Sequence, residues 1–135
     1  MTLKFGLEIE YIGPHVSDMG HRMTQAGFEC HSESYNHSTR SYWKVVQDGS
    51  ICGGGEIVSP PLPYNPESLG QIDAVYAALS NVGASMDQTC GLHVHVDATW
   101  LRAYTTNQRD AFFTFLTAAF QKHEAQFDMM VQNHR

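Results

Sequence analysis

The sequence carries little charge, and its positive charge is scattered along the chain. Lys and Arg together number 8 of the 135 residues, against 14 Asp and Glu, which gives a formal net charge of −6. Proteins that bind a nucleic-acid backbone use clustered Lys and Arg, and the sequence has no such cluster. The composition therefore argues against nucleic acid as the main partner. Carboxylates gathered in one cleft would instead favour divalent cations.

Cysteines and long apolar runs are also scarce. The three cysteines, Cys30, Cys52 and Cys90, form no Cys-x-x-Cys pair, so neither a disulfide framework nor a cysteine zinc site is indicated. No apolar run approaches the length that crosses a membrane, and the first residues lack the apolar core of a signal peptide. These absences predict a protein of the reducing cytoplasm without a membrane partner.

What is present fits one globular domain over residues 1–135. Hydrophobic residues make up 42% of the chain, and a chain of this length can bury a sizeable core. The sequence shows no internal repeat, linker or low-complexity segment. Short alternating segments, typical of strands, are mixed with longer helical patterns.

Residues 91–97, Gly-Leu-His-Val-His-Val-Asp, are predicted to form a strand that holds polar groups in a row. Successive side chains of a strand point to opposite faces. His93, His95 and Asp97 therefore share one face, and the apolar side chains between them form a face suited to a core. An ordinary half-buried strand whose polar face meets water would show the same pattern, so this motif alone leaves both interpretations open.

Residues 3–12 alternate in the same way and are predicted to form a strand ended by Gly13-Pro14. Glu8 and Glu10 lie on its polar face. Two glutamates at this spacing repel each other unless a cation lies between them. The alternative is a solvent-facing edge strand whose charges discourage aggregation.

A third acidic segment follows a predicted strand over residues 42–47. Asp48-Gly49 is a hairpin turn signal, so Asp48 is either a site residue or a plain turn residue. Gly54 and Gly55 belong to a glycine triplet that allows close approach of a neighbouring backbone or of a bound cofactor. No Gly-Lys-Ser/Thr follows the triplet, which excludes a Walker loop. Glu56 then opens a short strand stopped by two prolines.

Three segments have helical patterns. A short helix is predicted over residues 17–27 with Ser17 as its cap, and a longer one over residues 65–83, where Asn caps the start and Pro occupies the first position. A second long helix opens at Thr105. It carries a broad aromatic stripe, on which His123 falls, and the stripe is predicted to be core.

Carboxylates joined by one or two imidazoles form a ligand set for Mg²⁺ or Mn²⁺. A carboxylate-rich Mg²⁺ site usually also takes substrate phosphates, which indicates ATP chemistry without a phosphate-binding loop. Zinc hydrolysis is less suited, because the His-x-His strand lacks the helical His-Glu-x-x-His arrangement.

Together, three blocks of the sequence resemble the signature blocks of the amidoligase family, a branch of the glutamine synthetase-like carboxylate–amine ligases of bacteria, fungi and phages. The blocks are Phe-Gly-Leu-Glu-Ile-Glu at 5–10, Asp-Gly-Ser and Glu-Ile-Val-Ser-Pro-Pro within 48–61, and Cys-Gly-Leu-His-Val-His at 90–95. The resemblance implies an α+β fold in which a curved, largely antiparallel sheet forms a cleft backed by two longer helices. It also implies ATP- and Mg²⁺-dependent joining of a carboxylate to an amine through an acyl phosphate.

Carried over motif by motif, the resemblance assigns roles to individual residues. The implied metal ligands are Glu8, Glu10, Asp48, Glu56 and His93. His95 is similar to the histidine that faces the phosphate or acyl phosphate, which makes it both a catalytic and a nucleotide-binding residue. Arg135, at the end of the chain, is an arginine that could contact phosphate.

Members of this family usually run beyond the length of this chain and add later strands to the cleft. The sequence is therefore compatible with the first half of a longer protein, with a compact variant, or with a piece that acts with a second copy or a partner subunit. Two other functions also remain open. One is a metal- or nucleotide-binding module without turnover, and the other is a metal-dependent hydrolase that uses the His and Glu cluster.

Overall fold

The structure is a computed structural model that describes residues 3–131, apart from the side chains of residues 128, 130 and 131. The chain divides into two compact units, one ending at Asp97 and the other beginning at Ala98. The first unit contains β1 (Lys4–Ile12), α1 (Val16–Gln25), β2 (Cys30–Glu33), β3 (Trp43–Val46), β4 (Gly54–Val58), β5 (Leu62–Pro63), α2 (Pro66–Asn81) and β6 (Leu92–Val96). The second contains the 3₁₀ helix Thr99–Ala103 and helix α3 (Thr106–Val131). The sequence prediction of one domain over 1–135 stays a prediction.

The six-stranded sheet of the first unit is arranged around β1. Strands β4 and β5 pair antiparallel with one edge of β1, and β6 pairs antiparallel with the other edge. Strand β3 lies beyond β4, also antiparallel, and β2 joins β3 in a parallel pairing. The predicted α+β class with a largely antiparallel sheet is confirmed. In the part of the chain that the structure describes, no helix is both long and apolar enough to cross a membrane.

The alternation along β1 separates a core face of the sheet from a polar face. Four alternate side chains of β1 are buried on the core face: Phe5, Leu7, Ile9 and Tyr11. They pack in one cluster with residues of the neighbouring strands and with buried side chains of α1 and α2, among them Met19, Met23, Val75 and Leu79. Burying such side chains is the main favourable term in folding. The core therefore holds β1 rigidly enough for its other face to position functional groups.

The starts of the two helices in this unit follow different capping chemistry. Helix α2 begins as predicted, with the Asn65 Oδ1 accepting a hydrogen bond from the Ser68 N–H at 2.8 Å. The prediction of Ser17 as the cap of α1 is wrong. The cap is His15, whose Nδ1 accepts from the Ser17 N–H at 3.3 Å while the Ser17 hydroxyl lies 2.9 Å from the same nitrogen.

Two apolar surfaces that were predicted to be core are exposed. Leu92, Val94 and Val96 of β6 are each more than half exposed, although they lie opposite buried residues of β1. The reason is that β6 pairs with the outer edge of β1 and adds no residue to the core cluster. The residues of that cluster come from α1, α2 and the strands β1 to β5. The aromatic stripe of α3 is also largely exposed, with Phe113 and Phe120 more than half exposed. The histidine strand spans Leu92–Val96, within the predicted segment 91–97.

Replacing Tyr11 with Phe is expected to stabilise the protein by about 1 kcal/mol, because a buried hydroxyl without a partner costs free energy. The Tyr11 ring is fully buried, and its hydroxyl has no hydrogen-bond partner among the residues that the structure describes. Urea unfolding of Tyr11→Phe measures the change. Tyr64→Phe, which alters an exposed ring, serves as the control and should leave stability unchanged. A loss of stability in Tyr11→Phe would mean that the hydroxyl is satisfied, for example by a buried water.

Candidate metal centre

The strand register brings the acidic and histidine side chains together on the polar face of the sheet. In the pairing of β1 with β4, Glu10 lies opposite Glu56, and in the pairing of β1 with β6, Glu8 lies opposite His93. His95 lies on the same face one pair further along, opposite a glycine. We call this surface, carrying Glu8, Glu10, Glu56, His93 and His95, the site face.

Five side chains form two groups that could each hold a divalent cation. Potential ligand atoms lie within 4.8 Å of one another in the group Glu8, Glu56 and His93 and in the group Glu10, Asp48 and Glu56. Ligand atoms on opposite sides of a Mg²⁺ or Ca²⁺ ion are about 4–5 Å apart, so each group fits one ion. Glu56 belongs to both groups. All five residues that the sequence predicted as ligands are therefore in these groups.

The charges in this cluster oppose one another in the absence of a cation. Glu10 and Glu56 are each only 7% exposed. Burial, together with the nearby carboxylates of Glu8, Asp48 and Glu10, raises the pKa of Glu56 to about 7. A divalent cation would remove this repulsion and favour the ionised form. The repulsion among these carboxylates therefore favours a bound divalent cation, the kind of ion that carboxylate and imidazole ligands also suit.

Glu8 is the hydrogen-bond partner of both histidines of β6. Its Oε2 lies 3.1 Å from Nδ1 of His93, and its Oε1 lies 3.1 Å from Nε2 of His95. Burial alone would raise the pKa of Glu8, but the hydrogen bonds from His95 and His93 outweigh it, and the pKa lies below its ordinary value. Glu8 thus stays ionised and orients both rings. His95 is largely exposed and belongs to neither ligand group.

Asp48 reaches the cluster from the loop that joins β3 to β4. The loop spans seven residues, 47–53, and joins two antiparallel strands, so the hairpin that Asp48-Gly49 signals is present. The Asp48 carboxylate accepts hydrogen bonds from the N–H and the hydroxyl of Ser50, both at 2.7 Å, which is an Asx turn. These bonds lower the pKa of Asp48. The turn holds an ionised carboxylate beside Glu10 and Glu56.

The glycines that were predicted to border a cofactor lie against neighbouring strands. A Cβ on Gly54 would come within 1.8 Å of the Tyr11 carbonyl oxygen, and one on Gly55 within 2.7 Å of the Val46 carbonyl oxygen. The close approach that these glycines permit is therefore to protein backbone, and their part in binding a cofactor stays a prediction. Arg135, the predicted phosphate contact, lies outside the residues that the structure describes.

Lys44 is a buried cation on the site face that the sequence reading did not assign to the site. It is 3% exposed and lies in register with Val58, which in turn lies opposite Glu8. Its Nζ donates to both oxygens of Asn36 and to the Ser38 carbonyl oxygen, at 2.8 to 3.0 Å. In the sequence, Lys44 alternates with Trp43 and Val45, and this strand pattern could have indicated that Lys44 lies on the face opposite the core. Lys44 anchors the loop that follows β2 next to the site face.

A groove of about 810 Å³ adjoins the metal groups at Asp48. Its polar lining includes His15, Glu33, Tyr35, Gln47, Asp48 and Ser50. Hydrogen bonds from Arg40 and then Tyr42 lower the pKa of Glu33 to about 2, so this carboxylate is ionised and paired. The groove provides open space beside the cluster.

The fold and this cluster define an α+β protein with a carboxylate-rich centre suited to divalent cations. The chain belongs to the amidoligase family: the family model described as "Putative amidoligase enzyme" matches residues 1–124, which include both ligand groups. The family predicted from the three sequence blocks is therefore confirmed. Neither a curated protein nor a solved structure was found to match the chain.

Proposed function

We propose that the protein is a carboxylate–amine ligase that uses ATP with Mg²⁺ or Mn²⁺ to form an amide bond. The observation that carries the proposal is the pair of ligand groups sharing Glu56 on one sheet face. Paired divalent cations bridge phosphate oxygens and neutralise the charge that develops on a transferred phosphoryl group. Membership of the amidoligase family supports the same chemistry.

The proposed reaction has two steps. A carboxylate oxygen of one substrate attacks the γ-phosphorus of ATP, the bond to the bridging oxygen breaks, and ADP leaves. The free amine of the second substrate then attacks the acyl carbon of the acyl phosphate. Inorganic phosphate leaves with the bonding electrons, and the nitrogen gives up one proton to yield the amide.

The residues of the chain contribute binding and orientation to these steps. Glu8 and His93 on one side, and Glu10 and Asp48 on the other, would hold the ions together with Glu56. His95 is exposed on the site face and oriented by Glu8, which supports a role as a hydrogen-bond donor to the transferred phosphoryl group. The groove beside Asp48 would bind part of a substrate.

Replacing His93 and replacing His95 are expected to impair two different properties, Mn²⁺ binding and ADP formation. His93→Ala should weaken Mn²⁺ binding by about tenfold or more, because a ligand is lost. His95→Ala should leave Mn²⁺ affinity nearly unchanged and lower ADP formation by about 100-fold, because a donor to the phosphoryl group is lost. Calorimetry with Mn²⁺ and an ADP assay separate the two effects. Equal losses of Mn²⁺ affinity in both variants would contradict the assigned roles.

The proposal is tested by titrating the purified chain with a non-hydrolysable ATP analogue, with and without Mg²⁺ or Mn²⁺. Metal-dependent binding, followed by ADP release that requires both an amine and a carboxylate, is the expected result. Mn²⁺ binding without nucleotide binding would indicate a metal-binding module without turnover. Substrate cleavage without ATP, sustained by Zn²⁺, would indicate a hydrolase.

A further inference from the structure

We propose that Gly91 is a positioning residue of the metal centre, an inference that rests on the proposed function because it concerns the same ligands. Gly91 directly precedes β6. Its N–H donates a hydrogen bond to Oε2 of Glu10, and its carbonyl oxygen accepts one from the Glu10 N–H at 3.1 Å. Both the backbone and the carboxylate of Glu10 are therefore held by this one residue.

The lack of a side chain at Gly91 matters because the space beside it is filled by ligand groups. A Cβ built at this position would lie 3.2 Å from Nε2 of His93 and 3.3 Å from Oε2 of Glu10, both closer than ordinary van der Waals contact. The described glycines with a positive φ are Gly13, Gly27, Gly53 and Gly83. Gly91 is not one of them, so the requirement at this position is for space rather than for an unusual backbone conformation.

The space beside Gly91 lies between a member of one ligand group and a member of the other. Glu10 belongs to the group with Asp48 and Glu56, whereas His93 belongs to the group with Glu8 and Glu56. The Gly91 amide holds one oxygen of Glu10 and leaves the other for an ion. Contacts that orient metal ligands in this way typically account for about 10- to 100-fold in metal affinity. Gly91 therefore sets the distance between Glu10 and the imidazole of His93.

Gly91→Ala is expected to weaken Mn²⁺ binding by about tenfold, and Gly91→Val by more, because each displaces Glu10 and His93. Mn²⁺ affinity is measured by calorimetry and by the electron paramagnetic resonance spectrum of the bound ion, alongside urea unfolding of the metal-free variants. Gly6→Ala is the matched control. It adds the same methyl group on the site face, where the nearest atoms, on His95 and Ser59, would be 3.8 Å away.

The outcomes separate this inference from the proposed function. If the unmodified protein binds Mn²⁺ and Gly91→Ala binds it as tightly as Gly6→Ala does, the role of Gly91 is overturned and the ligase proposal stands. If the unmodified protein binds no Mn²⁺, the metal centre fails and the inference fails with it. A loss of stability without a change in the Mn²⁺ affinity or spectrum would reduce Gly91 to a structural residue, which also overturns the inference.

A measurement without metal tests the underlying contact even if Gly91 variants fail to fold. In the unmodified protein, the Gly91 amide proton should resonate downfield, because its hydrogen bond goes to a charged oxygen. Glu10→Ala removes the acceptor and should move this resonance upfield. An unmoved Gly91 resonance in Glu10→Ala would show that the contact is absent and would overturn the proposal.

Discussion

Glu56→Gln is expected to abolish tight Mn²⁺ binding, with an affinity loss of about 100-fold or more, and to reduce ADP formation accordingly. The physical reason is that Glu56 is the carboxylate shared by both ligand groups. The other four ligands belong to one group each, so their removal should affect mainly one ion. Calorimetry with Mn²⁺ and an ADP assay measure the two losses.

The same substitution should stabilise the metal-free protein, by about 1–3 kcal/mol at a pH above 7. The raised pKa of Glu56 means that the fold opposes its ionisation, and glutamine removes the charge. Loss of function through misfolding would instead lower stability. Glu29→Gln changes an exposed carboxylate and should alter neither property. Mn²⁺ affinity in Glu56→Gln equal to that of the unmodified protein would exclude Glu56 as a ligand.

Metal affinity is expected to fall by about tenfold for each pH unit below 7, and so by about 100-fold between pH 7 and pH 5. The cause is that Glu56, with its pKa raised to about 7, must lose a proton before it can bind an ion. Glu8 and Asp48 have lowered pKa values and stay ionised over this range. In the metal-free protein, the advantage of a neutral Glu56 is complete below the ordinary pKa of 4.5. It is lost as the pH rises through about 7.

Calorimetry with Mn²⁺ at several pH values between 5 and 8 measures this dependence, and two variants identify its source. Residual binding in Glu56→Gln should show a flatter slope, because the group that takes up the proton is gone. Residual binding in His93→Ala should still weaken as the pH falls, because Glu56 is intact and must still lose its proton. A flat profile in the unmodified protein would contradict a proton-coupled role for Glu56.

The identity of the candidate ligands could be predicted from the sequence because it follows from local patterns. Alternation with a period of two puts Glu8 and Glu10 on one face of β1, and His93 and His95 on one face of β6, whatever the surrounding fold. The start of α2 at Asn65 is equally local, since a capping side chain acts within one turn.

The contacts between these residues could not be predicted in the same way. Glu8 and His93 are 85 residues apart, and their distance depends on the register of two strands that no local pattern specifies. The parallel pairing of β2 and the exposure of the apolar face of β6 depend on which elements pack against each other. The His15 cap was missed because histidine is an unusual residue at that position, where serine and threonine are preferred.

The register of strand β1 determines both which residues enter the core and which residues form the ligand groups. Its odd positions from Phe5 to Tyr11 are buried in the core, whereas Glu8 and Glu10 on the other face belong to the ligand groups. A slip of one residue exchanges the two faces of a strand. An insertion or deletion within β1 would therefore place carboxylates in the core and isoleucine among the ligands. A shift in the register of β1 would therefore disrupt the core and the ligand groups at the same time.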